Sequence, residues 1–139
     1  MADPRYKKLA EVLTGYSTVL KKGDTVLFDI TDTPEAFAVE LVRAARRRGA
    51  IPLVETRSGR VGREMLMNTS EQHAKTVRDI ELNRMKKCDA YVAVRGSHNA
   101  TENSDIPSDN LSMYSRTLRP VLNYRVNKTR WVVIRWPNG

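Results

Sequence analysis

The sequence predicts an α/β domain: a Rossmann-like three-layer fold with a mainly parallel sheet of about four strands and helices on both faces. Three observations predict it. Short apolar, β-branched runs alternate along the chain with longer segments of helical periodicity. Residues 25 to 56 read as strand, helix, strand, the length of one βαβ unit, whose crossover is expected to be right-handed. The first of these strands is apolar enough to be buried on both faces, as parallel strands are.

Asp3-Pro4 opens the first helix, Asp as N-cap and Pro at the first helical position, where its missing N–H costs nothing. Leu9, Leu13, Tyr16 and Leu20 share one helical face, and Gly23 ends the helix. Residues 25–30, TVLFDI, form the first strand. Thr33 is placed as the next N-cap with Pro34 at N1 and Glu35 beside the positive dipole end. Phe37, Leu41 and Ala44 line that helix, and Gly49 follows its basic last turn as a C′ residue. Ile51 to Thr56 is the second strand, and Pro52 near its start suits a sheet edge.

Residues 58–62, SGRVG, read as a loop, followed by a short amphipathic piece around Met65-Leu66-Met67. Thr69 and Gln72 have capping-box spacing and begin a helix towards Lys87, its apolar stripe interrupted by Glu81 and Arg84. Ala90 to Val94 is the third strand, and a polar loop, 95–105, follows it. A further helix starts at Pro107-Ser108-Asp109, with Leu111, Tyr114 and Leu118 on one face, and Pro120 stops or kinks it. Trp131 to Trp136 is the fourth strand. The chain stops at Gly139 just beyond it, where a self-contained domain is expected to add a covering helix, so an amino-terminal piece of a longer protein is expected.

At 139 residues the chain fits one domain, residues 1–139. The single cysteine, Cys88, permits no internal disulfide and fits a reducing cytoplasm. No run approaches the ~18 apolar residues of a membrane helix, and the N-terminus lacks a signal peptide's apolar stretch. Net charge is +8, which raises a nucleic-acid partner. Its distribution argues against one: Arg46-Arg47-Arg48 complement a helix C-terminus, and the other cations are scattered. Aromatic residues are 6% of the chain, little material for stacking bases.

The first βα turn, residues 31–35, TDTPE, holds no glycine, so neither a dinucleotide fingerprint nor a P-loop is present. His73 and His98 lie on different elements without a Cys or carboxylate at ligand spacing, which gives no metal site in this chain. Ser97-His98 adjacency is not a nucleophile–base pair, and Cys88 reads as packing. Function is expected where strand carboxyl ends open into loops. There Arg95 can present a planar donor fork to a carboxylate, and Ser97 and Asn99 add short polar groups that contact a ligand or cap the turn. Glu55 and Arg57 stand at the same rim, beyond the second strand.

An ordered set of residues points to a family. It runs Leu9-Ala10-x-x-Leu13-x-x-Tyr16-Ser17, Lys22-Gly23-Asp24-x-Val26-Leu27 and Arg48-Gly49-Ala50-x-Pro52-Leu53-Val54. It continues with Asp89-Ala90-Tyr91-x-Ala93-x-Arg95-Gly96-Ser97-x-Asn99, Arg130-Trp131-Val132-Val133 and Trp136-Pro137. The set resembles the amino-terminal domain of the aminopeptidase T family, thermophilic leucyl-type metallo-aminopeptidases that remove N-terminal amino acids from peptides. The resemblance implies a cytoplasmic homodimer around an enclosed cavity, with this α/β domain joined to a carboxyl-terminal catalytic domain. Two divalent ions of zinc or cobalt type are implied for the parent enzyme, held by Glu, His, Tyr and Asp ligands of that second domain. Those positions lie outside residues 1–139, so this piece is expected to hold no catalytic residue and no cofactor and to be inactive alone. It would wall the cavity, orient the catalytic domains and contact peptide through the 95–105 loop. The alternatives are a free-standing Rossmann-like module that binds an anionic ligand or RNA, and a catalytically dead paralogue acting in assembly.

Overall fold

A computed structural model of the chain describes residues 3–96 and 105–137. Four parallel strands, β1 (Thr25–Thr31), β2 (Ile51–Arg57), β3 (Ala90–Gly96) and β4 (Arg130–Trp136), form one sheet in the order β2-β1-β3-β4. Six α-helices cover it: α1 (Pro4–Val12), α2 (Glu35–Arg47), α3 (Gly59–Met67), α4 (Glu71–Met85), α5 (Ser108–Thr117) and α6 (Arg119–Lys128). The chain leaves β1 in one direction to reach β2 and then returns past it to β3, so the topological switch point lies between β1 and β3.

Register explains the burial. Val26 pairs with both Pro52 and Ala90, and Ala90 with Arg130, so these positions and every second residue beyond them share one face. On that face Val26, Phe28, Ile30, Ala90, Val92 and Val94 pack against Phe37, Leu41, Ala44 and Ala45 of α2 and against Ala10, Leu13 and Leu20. Tyr6, Phe37 and Trp136 close its carboxyl end as an aromatic group, with Phe37 and Trp136 ring centroids 4.7 Å apart. The opposite face carries a smaller apolar cluster, in which Leu27, Tyr91 and Ala93 meet Met85, Cys88 and Val121 of the α4–α6 side. Pro52 does lie on an edge strand, and Gly49 adopts the left-handed φ of +76° that ends α2.

Several local expectations are corrected. Tyr16 does not join the buried stripe; it is 83% exposed. A π-helical turn, Leu13–Ser17, follows α1 and slips the register, so Thr14 and Thr18 turn inward instead. Their hydroxyls are satisfied locally, donating to the Ala10 carbonyl at 2.9 Å and the Leu13 carbonyl at 2.8 Å. Thr33 is not an N-cap: its hydroxyl donates back to the Thr31 carbonyl, and α2 begins one residue later with Pro34 in the cap position. Ser70 rather than Thr69 caps α4, accepting from the His73 amide at 3.1 Å, while the Thr69 hydroxyl and His73 Nδ1 lie 2.7 Å apart. Residues 59–62 are not a loop but the first turn of α3, capped by Ser58. The helix begun at Ser108 does end before Pro120, at Thr117, and Pro120 sits in the first turn of the next helix, α6, where a missing N–H is tolerated.

Candidate functional site

The second face of the sheet supplies the polar residues. By the ladder pairing it carries Asp29 and Thr31 from β1, Glu55 and Arg57 from β2, Tyr91 and Arg95 from β3, and Arg135 from β4. Alternation along each strand sends these side chains towards α4 and α6 instead of α2.

Asp29 is the centre of the arrangement. The Tyr91 phenol, itself 1% exposed, donates to Asp29 Oδ2 at 2.8 Å. Arg57 Nε donates to Asp29 Oδ1 at 2.7 Å. The same guanidinium approaches Glu81 at 3.7 Å and Glu55 at 3.9 Å. From α4, Arg84 reaches two carboxylates at once, Glu55 Oε1 and Glu81 Oε2, each at 2.7 Å. From α6, the Arg125 guanidinium lies 4.0 Å from the Tyr91 ring centroid, a cation–π stack that leaves its Nε buried without a hydrogen-bond partner.

The electrostatics follow. Burial works against the charge of Arg57, and the carboxylates of Asp29, Glu81 and Glu55 outweigh it, holding the guanidinium above its ordinary value. Arg84 is raised in the same way, burial opposing and Glu55 and Glu81 prevailing. Burial first, and then the charge of Asp29, push the Tyr91 phenol well above the usual range. Tyr91 is therefore a fixed neutral donor at physiological pH. Burial also raises the Cys88 thiol, which keeps it protonated and unreactive.

Glu55 and Arg57, expected at the rim, do come together, and they line a crevice of about 540 Å³ with Thr31 and the first turns of α3. Arg95 lies at the carboxyl end of β3, exposed, beside the switch point. Ser97, His98 and Asn99 lie outside the described residues. Asp29, Glu81, Arg84, Tyr91, Arg125 and Arg135 were not singled out from sequence. Their signal was present: Asp29 and Arg135 interrupt apolar strands, and Glu81 and Arg84 interrupt the apolar stripe of α4.

Such a site can hold and orient an anionic or hydrogen-bonding ligand. The Asp29, Glu55 and Glu81 carboxylates are each engaged by a guanidinium, so none is free as a metal ligand or base. Among the described residues, no group of three or more His, Cys, Asp or Glu side chains could hold a metal ion. The donor set does not fit a paired-metal centre. No helix among them is long and apolar enough to cross a membrane.

Comparison with known proteins places this arrangement. No curated protein matches the chain. Among solved structures, wild-type AmpT from Thermus thermophilus matches with a TM-score of 0.74 and 20% sequence identity. The match covers 97% of this chain and 36% of AmpT, so the chain spans just over a third of that protein's length. The likeness establishes the α/β fold. A putative LacI-family transcription regulation repressor from Corynebacterium glutamicum matches at a TM-score of 0.39 and 12% identity, covering 94% of this chain and 59% of its own. VinN matches at 0.37 and 12%, covering 84% and 26% respectively. Neither of those two carries any argument about this chain. The sequence model of the thermophilic metalloproteases (M29) matches residues 2–139, and the chain thus belongs to that metallopeptidase family.

Proposed function

We propose that residues 1–139 are the amino-terminal, non-catalytic domain of a cytoplasmic metal-dependent aminopeptidase that removes N-terminal amino acids from peptides. The observation that carries this is the family match over residues 2–139, supported by the lack, among the described residues, of any group of three or more His, Cys, Asp or Glu side chains placed to hold a metal ion. A metallopeptidase must polarise the scissile carbonyl and activate water with its ions. The Asp29, Glu55 and Glu81 carboxylates of the site are engaged by arginines, and in this reading the ions of the parent, of zinc or cobalt type, belong to a carboxyl-terminal catalytic domain. The coverage of AmpT, 36%, is in keeping with a domain of a larger protein.

In this reading the α1–α2 side and the packed core are scaffold, and the carboxyl edge of the sheet faces the reaction. Glu55, Arg57 and Arg95 form the rim that walls the cavity and contacts peptide; Ser97 and Asn99, expected at the same rim, lie outside the described residues. The domain also orients the two catalytic domains of a homodimer. The test is amino-acid release from leucyl peptides with added zinc or cobalt. Residues 1–139 alone should give none, and the longer chain should be active; equal activity of the two would contradict the proposal.

A further inference from the structure

The ladder sets Arg57, Thr31, Arg95 and Arg135 side by side across all four strands, on one face and at the carboxyl edge. Arg95 stands directly opposite Arg135 on hydrogen-bonded neighbours. Like charges in register across a ladder are destabilising, and nothing described offsets them. The Asp29, Glu55 and Glu81 carboxylates of this face are taken up by Arg57 and Arg84. Among the described residues Arg95 and Arg135 make no ion pair, and Arg125 makes only its stack on Tyr91. Both Arg95 and Arg125 are close enough to act electrostatically on the Tyr91 phenol. The cations left over therefore gather at the carboxyl edge of β3 and β4, with Arg95 bordering the switch point between β1 and β3, the side of an open parallel sheet on which ligands sit.

We propose that Arg95 and Arg135 form a receptor for a carboxylate group. Resting on the aminopeptidase reading, that group is the free carboxyl terminus of a short peptide whose amino end is presented to the metals of the catalytic domain. Two planar guanidinium forks side by side match a planar carboxylate and form charge-assisted hydrogen bonds with it. The bound anion relieves the repulsion between the pair. A receptor of this kind makes the distance from the rim to the metals a ruler for peptide length. A nucleic-acid backbone fits less well, because it needs a continuous basic track and stacking aromatics.

The test follows the side-chain Nε–H resonances of 15N-labelled residues 1–139 during titration with trialanine, trialanine amide, inorganic phosphate, and an amidated peptide with one internal glutamate. Trialanine should give saturable shifts at Arg95 and Arg135, with the amide about tenfold or more weaker. The shifts should vanish in Arg95→Gln and in Arg135→Gln and persist in Arg116→Gln, with backbone spectra showing all three folded. Equal binding of acid and amide, tighter binding of phosphate, or no saturable shift would overturn the receptor. Equal binding of the internal glutamate would overturn the assignment to the peptide terminus. This readout is separate from hydrolysis. Carboxylate binding beside an inactive parent would keep the receptor and remove its ligand assignment, whereas an active parent without carboxylate binding would remove the receptor alone.

Discussion

The Tyr91 phenol and the Asp29 carboxylate, brought together from neighbouring strands 62 residues apart in sequence, share a 2.8 Å hydrogen bond in which the phenol donates. Arg57 holds the other carboxylate oxygen at 2.7 Å. One acidic residue thus ties β1, β2 and β3 together beneath the rim. Asp29→Asn should cost about 2 kcal/mol, because Arg57 loses the nearest of its three carboxylates, and Tyr91→Phe about 1 kcal/mol. The double variant should cost less than the sum, since both changes act on the same contact, asparagine by removing the acceptor's charge and phenylalanine by removing the donor. Urea unfolding of the four proteins measures this, and strict additivity would show that the bond contributes nothing.

The raised Tyr91 phenol makes stability depend on alkaline pH. A tyrosine whose folded pKa lies above its unfolded value of about 10 favours folding fully below that pH. That contribution is lost progressively as pH rises above 10, because the unfolded state gives up the proton first. Wild-type stability should therefore fall faster than that of Tyr91→Phe between pH 9 and 11, values set by the ordinary tyrosine range. Parallel curves for the two proteins would contradict the buried, donor-only role of this hydroxyl.

Arg84 bridges Glu55 and Glu81, and its removal leaves these two partly buried carboxylates with only the longer contacts of Arg57. Arg84→Leu should cost about 2–3 kcal/mol. Adding Glu55→Gln and Glu81→Gln should recover most of that loss, since the cost lies in the uncompensated charge. Thermal or urea unfolding distinguishes this from simple packing, in which the triple variant would be the least stable.

Two glycines give opposite expectations. A Cβ at Gly96 would lie 2.1 Å from the Asp32 carbonyl oxygen, backbone that cannot swing away. Gly96→Ala should destabilise by about 2 kcal/mol or more. At Gly62, inside α3, a Cβ would meet nothing within 4 Å. Gly62→Ala should stabilise by about 0.5–1 kcal/mol through helix propensity. Denaturation midpoints check both.

The strands, their parallel pairing and the two-sided helical cover could be read from the sequence because burial dictates period. Ala90 to Val94, buried throughout, is apolar at every position, and Pro52 marks the edge. Caps slipped by one residue where adjacent polar residues compete, as at Thr69 and Ser70, since both hydroxyls can reach the first turn. Tyr16 was placed wrongly because one inserted residue in a π turn rotates everything after it, and no periodicity count detects that. At the site, Arg95 and Arg57 were legible as polar residues ending apolar strands. Asp29, Arg84 and Arg135 were not, because what they do depends on partners 28 to 62 residues away or on a neighbouring strand. Sequence spacing does not encode which of two faces those partners share until the register is known.

The most direct measurement is equilibrium dialysis of residues 1–139 against zinc and cobalt, with bound metal counted per chain. Occupancy should stay far below one ion per chain, because Asp29, Glu55 and Glu81 are already engaged by arginines and no group of three or more side chains able to hold a metal ion is present among the described residues. One or two ions bound tightly by each chain, and lost on Asp29→Asn or Glu55→Gln, would contradict it.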